Sequence, residues 1–168
     1  MSELDLRKSP WNEGLGISSE YLDHQLYLLG CMVYASPVFD SLADHALLDL
    51  RQQFQERQIG QALLGVTVAI RNAMDQNPSR ADYWLDGIDT SVGTLNPTDP
   101  GSKPLTIREA CNKVIHCDSV NFDYVSDQPR RGFALKPLIH LYGTQGNKDW
   151  KATLDIDRFI HVAAQLTG

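Results

Sequence analysis

Long uncharged runs, paired cysteines and an excess of basic residues are what this sequence lacks, and each absence removes a class of function. The longest stretch without Asp, Glu, Lys or Arg is 16 residues, from His24 to Phe39, and Pro37 interrupts it. A membrane-spanning helix needs about 20 predominantly apolar residues, so no membrane partner is expected. The opening MSELDLRKSPWNEGLG mixes charges and has no apolar run. Residues 1–17 therefore read as a loose arm and not a signal peptide, and a cytoplasmic location is the expectation. The cysteines Cys31, Cys111 and Cys117 are odd in number and form no CxxC pair, which argues for reduced thiols over a disulfide framework. A net charge of −6 argues against a general electrostatic grip on nucleic acid. The charge is uneven, however. Residues 1–78 hold 10 acids and 5 bases, while residues 79–168 hold 11 acids and 10 bases, so an anionic partner would favour the second half.

The 168 residues fit one domain that buries roughly two-thirds of its unfolded surface. Ser18 or Ser19 caps a first helix carrying Leu22, Leu26, Leu29 and Val33, which Pro37 is expected to stop. Ser36 would then cap a second helix with Pro37 at its first position and a stripe from Phe39 to Phe54. After Gly60, QALLGVTVAIRNAMDQ is apolar nearly all round and reads as a helix buried at the centre of a bundle. Residues 87–104 hold three glycines and three prolines and read as a long irregular loop. Beyond residue 118 the period falls to two. Leu138, His140 and Tyr142 alternate with Ile139 and Leu141, as Trp150, Ala152 and Leu154 do with Lys151 and Thr153. With TQGNKD as the turn, this is a β-hairpin, and Val120, Phe122 and Tyr124 offer a third strand. Asp157 caps a closing helix. The expected architecture is mainly α: a helical bundle (18–117), a small antiparallel hairpin or three-stranded sheet (118–156) and a last helix (157–168), α+β overall. No repeat or low-complexity segment interrupts it.

The chemistry-bearing candidate is LTIREACNKVIHCD, residues 105–118. Thr106 and Glu109 form a capping box, so a helix begins at Ile107. With Ile107 at zero, Ala110, Cys111, Val114, Ile115 and Cys117 cluster within roughly 80 degrees as a core face. Arg108, Asn112 and His116 fall at about 100, 140 and 180 degrees, a slanted polar row able to reach one object lying along the helix. A solvated face is the plain alternative, but an amide and an imidazole in mid-helix have less helix propensity than the Lys or Glu usual there.

NKVIH resembles the end of the signature of HEPN domains, helical bundles that usually dimerise and often act as metal-independent ribonucleases. His116 matches the motif histidine, Asn112 its polar residue, and Arg108 is the arginine nearest to hand. Arg108 stands farther from His116 than the family's arginine does, with Cys111 in the expected place. The resemblance implies RNA binding or cleavage without a cofactor, and a homodimer whose second copy completes the cleft. A hairpin is not part of what it implies. In that chemistry an imidazole, with an unperturbed pKa of about 6.5, exchanges protons at the ribose 2′-hydroxyl or the leaving oxygen. Arg108 would neutralise phosphate and Asn112 would orient it. The rival expectation is a non-catalytic interaction module that recognises a protein partner through the β-hairpin.

Other groups carry weaker signals. Arg130, Arg131 and Lys136 are candidate phosphate contacts beside Phe133. A metal site at Cys111, His116, Cys117 and Asp118 lacks a repeated ligand pair, and Cys111 lies too far round the helix from His116 to be its nucleophile. Arg71 and Asp75 read as an i, i+4 pair. GTQGNKD joins two strands, so it is no phosphate loop. A ligand pocket by Tyr83 and Trp84 has no residue pattern that names a ligand.

Overall fold

The structure, a computed structural model, describes residues 19–41, 45–76, 78–97, 101–125 and 134–166. The elements are α1 (Ser19–Ser41), α2 (His45–Gln76), α3 (Pro78–Leu85), β1 (Ser91–Pro97), β2 (Lys103–Thr106), α4 (Ile107–Ile115), β3 (Ser119–Tyr124), β4 (Leu135–Gln145), β5 (Lys148–Asp155) and α5 (Ile156–Gln165). The strands form one antiparallel sheet in the order β2-β1-β5-β4-β3.

This overturns the expectation of a helical bundle with a hairpin or three-stranded sheet, because the supposed loop at 87–104 supplies two strands. Gly93, Pro97 and Pro104 occupy the places where a sheet accepts them, and Pro100 lies outside the described residues. Gly93 sits at a break in register between β1 and β2 with φ +157, and a Cβ there would overlap the Thr153 carbonyl oxygen across the β1–β5 pair. Pro97 ends β1, and Pro104 lies in β2 at the sheet edge, where among the described residues no further strand needs its missing N–H.

The helical boundaries move too. Pro37 does not stop the first helix; α1 runs through it to Ser41. A buried junction sits beside it. Arg51 Nη1 donates to the Ser36 carbonyl at 3.1 Å, and the Leu135 N–H donates to Ser36 Oγ at 2.8 Å. The second expected helix does not start at Ser36 and Pro37, which lie inside α1; from His45 onward it and the third expected helix are one, α2, continuous through Gly60. The last helix is capped by Asp155, which accepts from the Arg158 N–H at 3.1 Å, and not by Asp157.

Alternation along the strands sets the layers. Trp150, Ala152 and Leu154 of β5 and Ile139 and Leu141 of β4 are buried, and Phe159 of α5 and Ile107 of α4 close on the same core. Between them Lys151, Thr153, His140 and Tyr142 stay half-exposed. A fully buried Leu, Ile or Phe contributes roughly 1.5–3 kcal/mol, so this alternation fixes the register. The helix expected to be buried all round is not: Leu64 is 46 % and Val68 36 % exposed.

Candidate functional site

α4 presents two different surfaces because it lies between α2 and the β4–β5 hairpin. Thr106 caps it, its hydroxyl oxygen accepting from the Glu109 N–H at 3.3 Å. Ile107, Ala110, Cys111 and Val114 are buried. At the far end His116 is the C-cap residue, its backbone N–H donating to the Asn112 carbonyl at 3.0 Å, and the Asp118 N–H donates to the Tyr142 carbonyl at 2.8 Å. That last bond pins the end of the helix to β4.

The slanted row divides between the two surfaces. Arg108 turns to α2, with Nη1 3.8 Å from Asp75 Oδ1, and Asp75 also takes Arg71 Nε at 2.7 Å. Asn112 and His116 turn the other way and line a cleft of about 700 Å3. Glu109 and Lys113 join them from α4, and Thr144, Gln145, Gly146 and Trp150 face them from the hairpin. An 80-degree slant over eight residues thus separates the row's ends, and Arg108 is not a cleft residue.

Sequence reasoning reads Glu109 only as part of the helix cap and passes over Lys113, although the signal is there. Positions 109, 112, 113 and 116 have i, i+3, i+4, i+7 spacing, one face of a helix. Lys113 Nζ lies 4.2 Å from the centroid of the Trp150 ring, a cation–π contact that holds the ammonium at the cleft floor. Trp150 is itself seated on Gly143, its partner in register, where any Cβ would overlap the indole. Gly146 takes φ +63 in the tight turn between β4 and β5.

The other sequence candidates lie elsewhere. Lys136 pairs with Asp123 at 3.3 Å near the opposite end of β4, roughly 27 Å along the strand from Thr144. Arg130 and Arg131 lie outside the described residues. Cys111 is buried, and removal from water pushes its thiol from the ordinary 9.0 up to about 12. It is no nucleophile at neutral pH. Burial also raises the Cys117 thiol, whose Sγ donates to the Val114 carbonyl at 3.3 Å. Among the described residues no three His, Cys, Asp or Glu side chains come together as a metal site, and no helix is long and apolar enough to cross a membrane. Of the remaining histidines, His140 Nδ1 meets Thr153 Oγ1 at 3.1 Å and His161 Nε2 meets Gln165 Nε2 at 3.0 Å. No family model, curated protein or solved structure matches the chain.

Proposed function

We propose that the protein binds single-stranded RNA in the α4–hairpin cleft and cleaves it without a metal. The observation that carries this reading is the order of four side chains along one helical face: Glu109 and His116 at the ends, Asn112 and Lys113 between them. RNA cleavage by its own 2′-hydroxyl needs a base on the attacking side of the phosphate and an acid on the leaving side. Glu109 takes the proton from the 2′-hydroxyl as that oxygen bonds to phosphorus. His116, as imidazolium, gives a proton to the departing 5′-oxygen. The products are a 2′,3′-cyclic phosphate and a 5′-hydroxyl end. Lys113, held by Trp150, balances charge on the phosphate, and the Asn112 amide hydrogen-bonds it. Lys113 thereby takes the part first given to Arg108, whose guanidinium is engaged by Asp75.

The test is degradation of a fluorescent single-stranded RNA in EDTA by wild type, His116→Ala, Glu109→Gln and Lys113→Ala at matched purity and folding. Loss of a proton-transfer group lowers the rate about 10²–10⁴-fold, and loss of the cation should act in the same direction. Equal rates in all four proteins, or no cleavage by any, defeats the proposal.

A second reading, a non-catalytic interaction module, is favoured by a separate observation. The outer sides of α1 and α2 expose Tyr27 (69 %), Tyr34 (61 %), Val38 (57 %) and Leu50 (52 %). A protein that captures a partner there and leaves RNA intact fits only this reading.

A further inference from the structure

The seam between α1 and α2, on the side away from the sheet, is apolar where nothing described covers it. On α2, Leu50, Phe54, Leu64 and Val68 are all exposed and fall within about 40 degrees of Leu50 around the helix. On α1, Tyr21, Leu28, Met32 and Phe39 fall within about 40 degrees of Leu28, and each is exposed or half-exposed. The stripes adjoin: the Tyr21 hydroxyl lies 3.4 Å from where a Cβ on Gly65 would stand. At one end they enclose a groove of about 390 Å3 between Phe39, Leu47, Leu50 and Phe54. Gln55 borders this groove, and its Nε2 is buried with no hydrogen-bond partner among the described residues.

We propose that this seam is the contact surface of a homodimer, built by a second copy of the chain. Charge selects the occupant. The chain carries a net −6, so two copies repel unless they meet where acids are absent. Along the two stripes Arg57 is the one residue among Asp, Glu, Lys and Arg, and Arg51, which also lines the groove, is buried and held by the Ser36 carbonyl. An acidic or basic partner finds little to recognise there, whereas a second neutral seam fits without cost. Size agrees. From Leu47 to Val68 the seam is about 31 Å long and two helices wide, roughly 600 Å2 in projection, and a specific interface begins at about 600 Å2 per partner.

A two-fold axis across the seam sets Leu50 and Phe54 of one copy against Leu64 and Val68 of the other. It also sets the exposed Gln58 and Gln61 amides of the two copies near one another, and amides both give and accept hydrogen bonds. The axis passes through α1 and α2, so α4 does not stand on it, contrary to the dimer that the motif resemblance implies. The inference is independent of what the α4 cleft does.

Sedimentation velocity of the full chain across 1–100 μM tests it. Wild type should sediment as a dimer. Leu50→Glu and, separately, Val68→Glu should weaken the dimer by roughly 30-fold or more, the loss typical of a hot-spot residue, with an unchanged circular dichroism spectrum. His116→Ala should remain dimeric. Arg57→Cys together with Gln61→Cys, at positions that this axis sets opposite each other, should form an intersubunit disulfide in air when the native cysteines are replaced by serine. Three results overturn the proposal: a wild-type monomer at 100 μM, a dimer indifferent to both charged substitutions, or a monomer that dimerises only once residues 1–18 are deleted. The last would show the chain's own arm on the seam.

Discussion

The α1–α2 hairpin and the sheet with α4 and α5 both draw on apolar side chains, but among the described residues the large exposed ones lie mostly on α1 and α2. In β5 every second residue is buried against the helices, and its neighbours Lys151, Thr153 and Asp155 are polar. In α2, Leu63 is 2 % and the adjacent Leu64 46 % exposed. Apolar side chains buried by the same chain report the fold; a contiguous stripe of them left outside is a candidate surface for association. The difference places the described core on the sheet side of α2 and an unfinished surface on the other.

The largest break in this comparison should come from the sheet. Gly93→Ala puts a Cβ against the Thr153 carbonyl in a backbone conformation that side chains rarely adopt. It should cost more than about 3 kcal/mol, since steric overlap and backbone strain add there, and urea denaturation followed by far-ultraviolet dichroism measures it. A stability within 1 kcal/mol of wild type would mean that the β1–β5 register is wrong.

Next comes the contrast within α2. Leu63→Ala should cost about 2–5 kcal/mol by opening a cavity. Leu64→Ala, one residue on, should cost less than about 1 kcal/mol at concentrations too low for association, because little apolar surface returns to water. Equal losses at the two positions would erase the distinction between a finished and an unfinished side.

The sequence disclosed these regions unequally, for physical reasons. α4 was legible because its signals are local: the Thr106 cap, Glu109 three residues on, and four core residues at helical spacing. The β4–β5 hairpin was legible because alternation and the Gly146 turn sit side by side. β1 and β2 were hidden because Gly93, Pro97 and Pro104 each oppose a strand locally, and only a bulge, a strand end and a sheet edge make them acceptable. Pro37 misled for a similar reason, since the bonds that support α1 around it come from Arg51 and Leu135, distant in sequence. Of the candidate site, the angle of the polar row was readable. That its two ends meet different neighbours was not, because it depends on where α2 and the hairpin stand.

A smaller effect joins the regions through Cys111 on α4, which is buried close enough to feel Arg71 of α2. Its thiol holds its proton to about pH 12 in the folded chain, while the unfolded chain releases it near 9.0. Between those values the unfolded state binds fewer protons, so stability is full below pH 9 and falls as pH rises, by at most about 1.4 kcal/mol per unit from this group. Cys111→Ala, though less stable at pH 7, should show a shallower decline from pH 9 to 10.5. Parallel curves for the two proteins would mean that Cys111 is not shielded from water.

The smallest effect should be a gain, at the middle of α2. Gly60 is flanked by fifteen helical residues on one side and sixteen on the other, and a Cβ built there meets nothing within 4 Å. Glycine in a helix interior costs about 0.5–1 kcal/mol relative to alanine, chiefly because the unfolded chain is freer. Gly60→Ala should therefore raise stability by about that amount and leave both the dimer and the cleft untouched. Equal stability would place a neighbour over Gly60 in solution, and weakened association would bring the dimer contact around α2 from the Leu50–Val68 stripe to this position. The substitution thus reads, at little risk to the fold, how far round α2 the unfinished side extends.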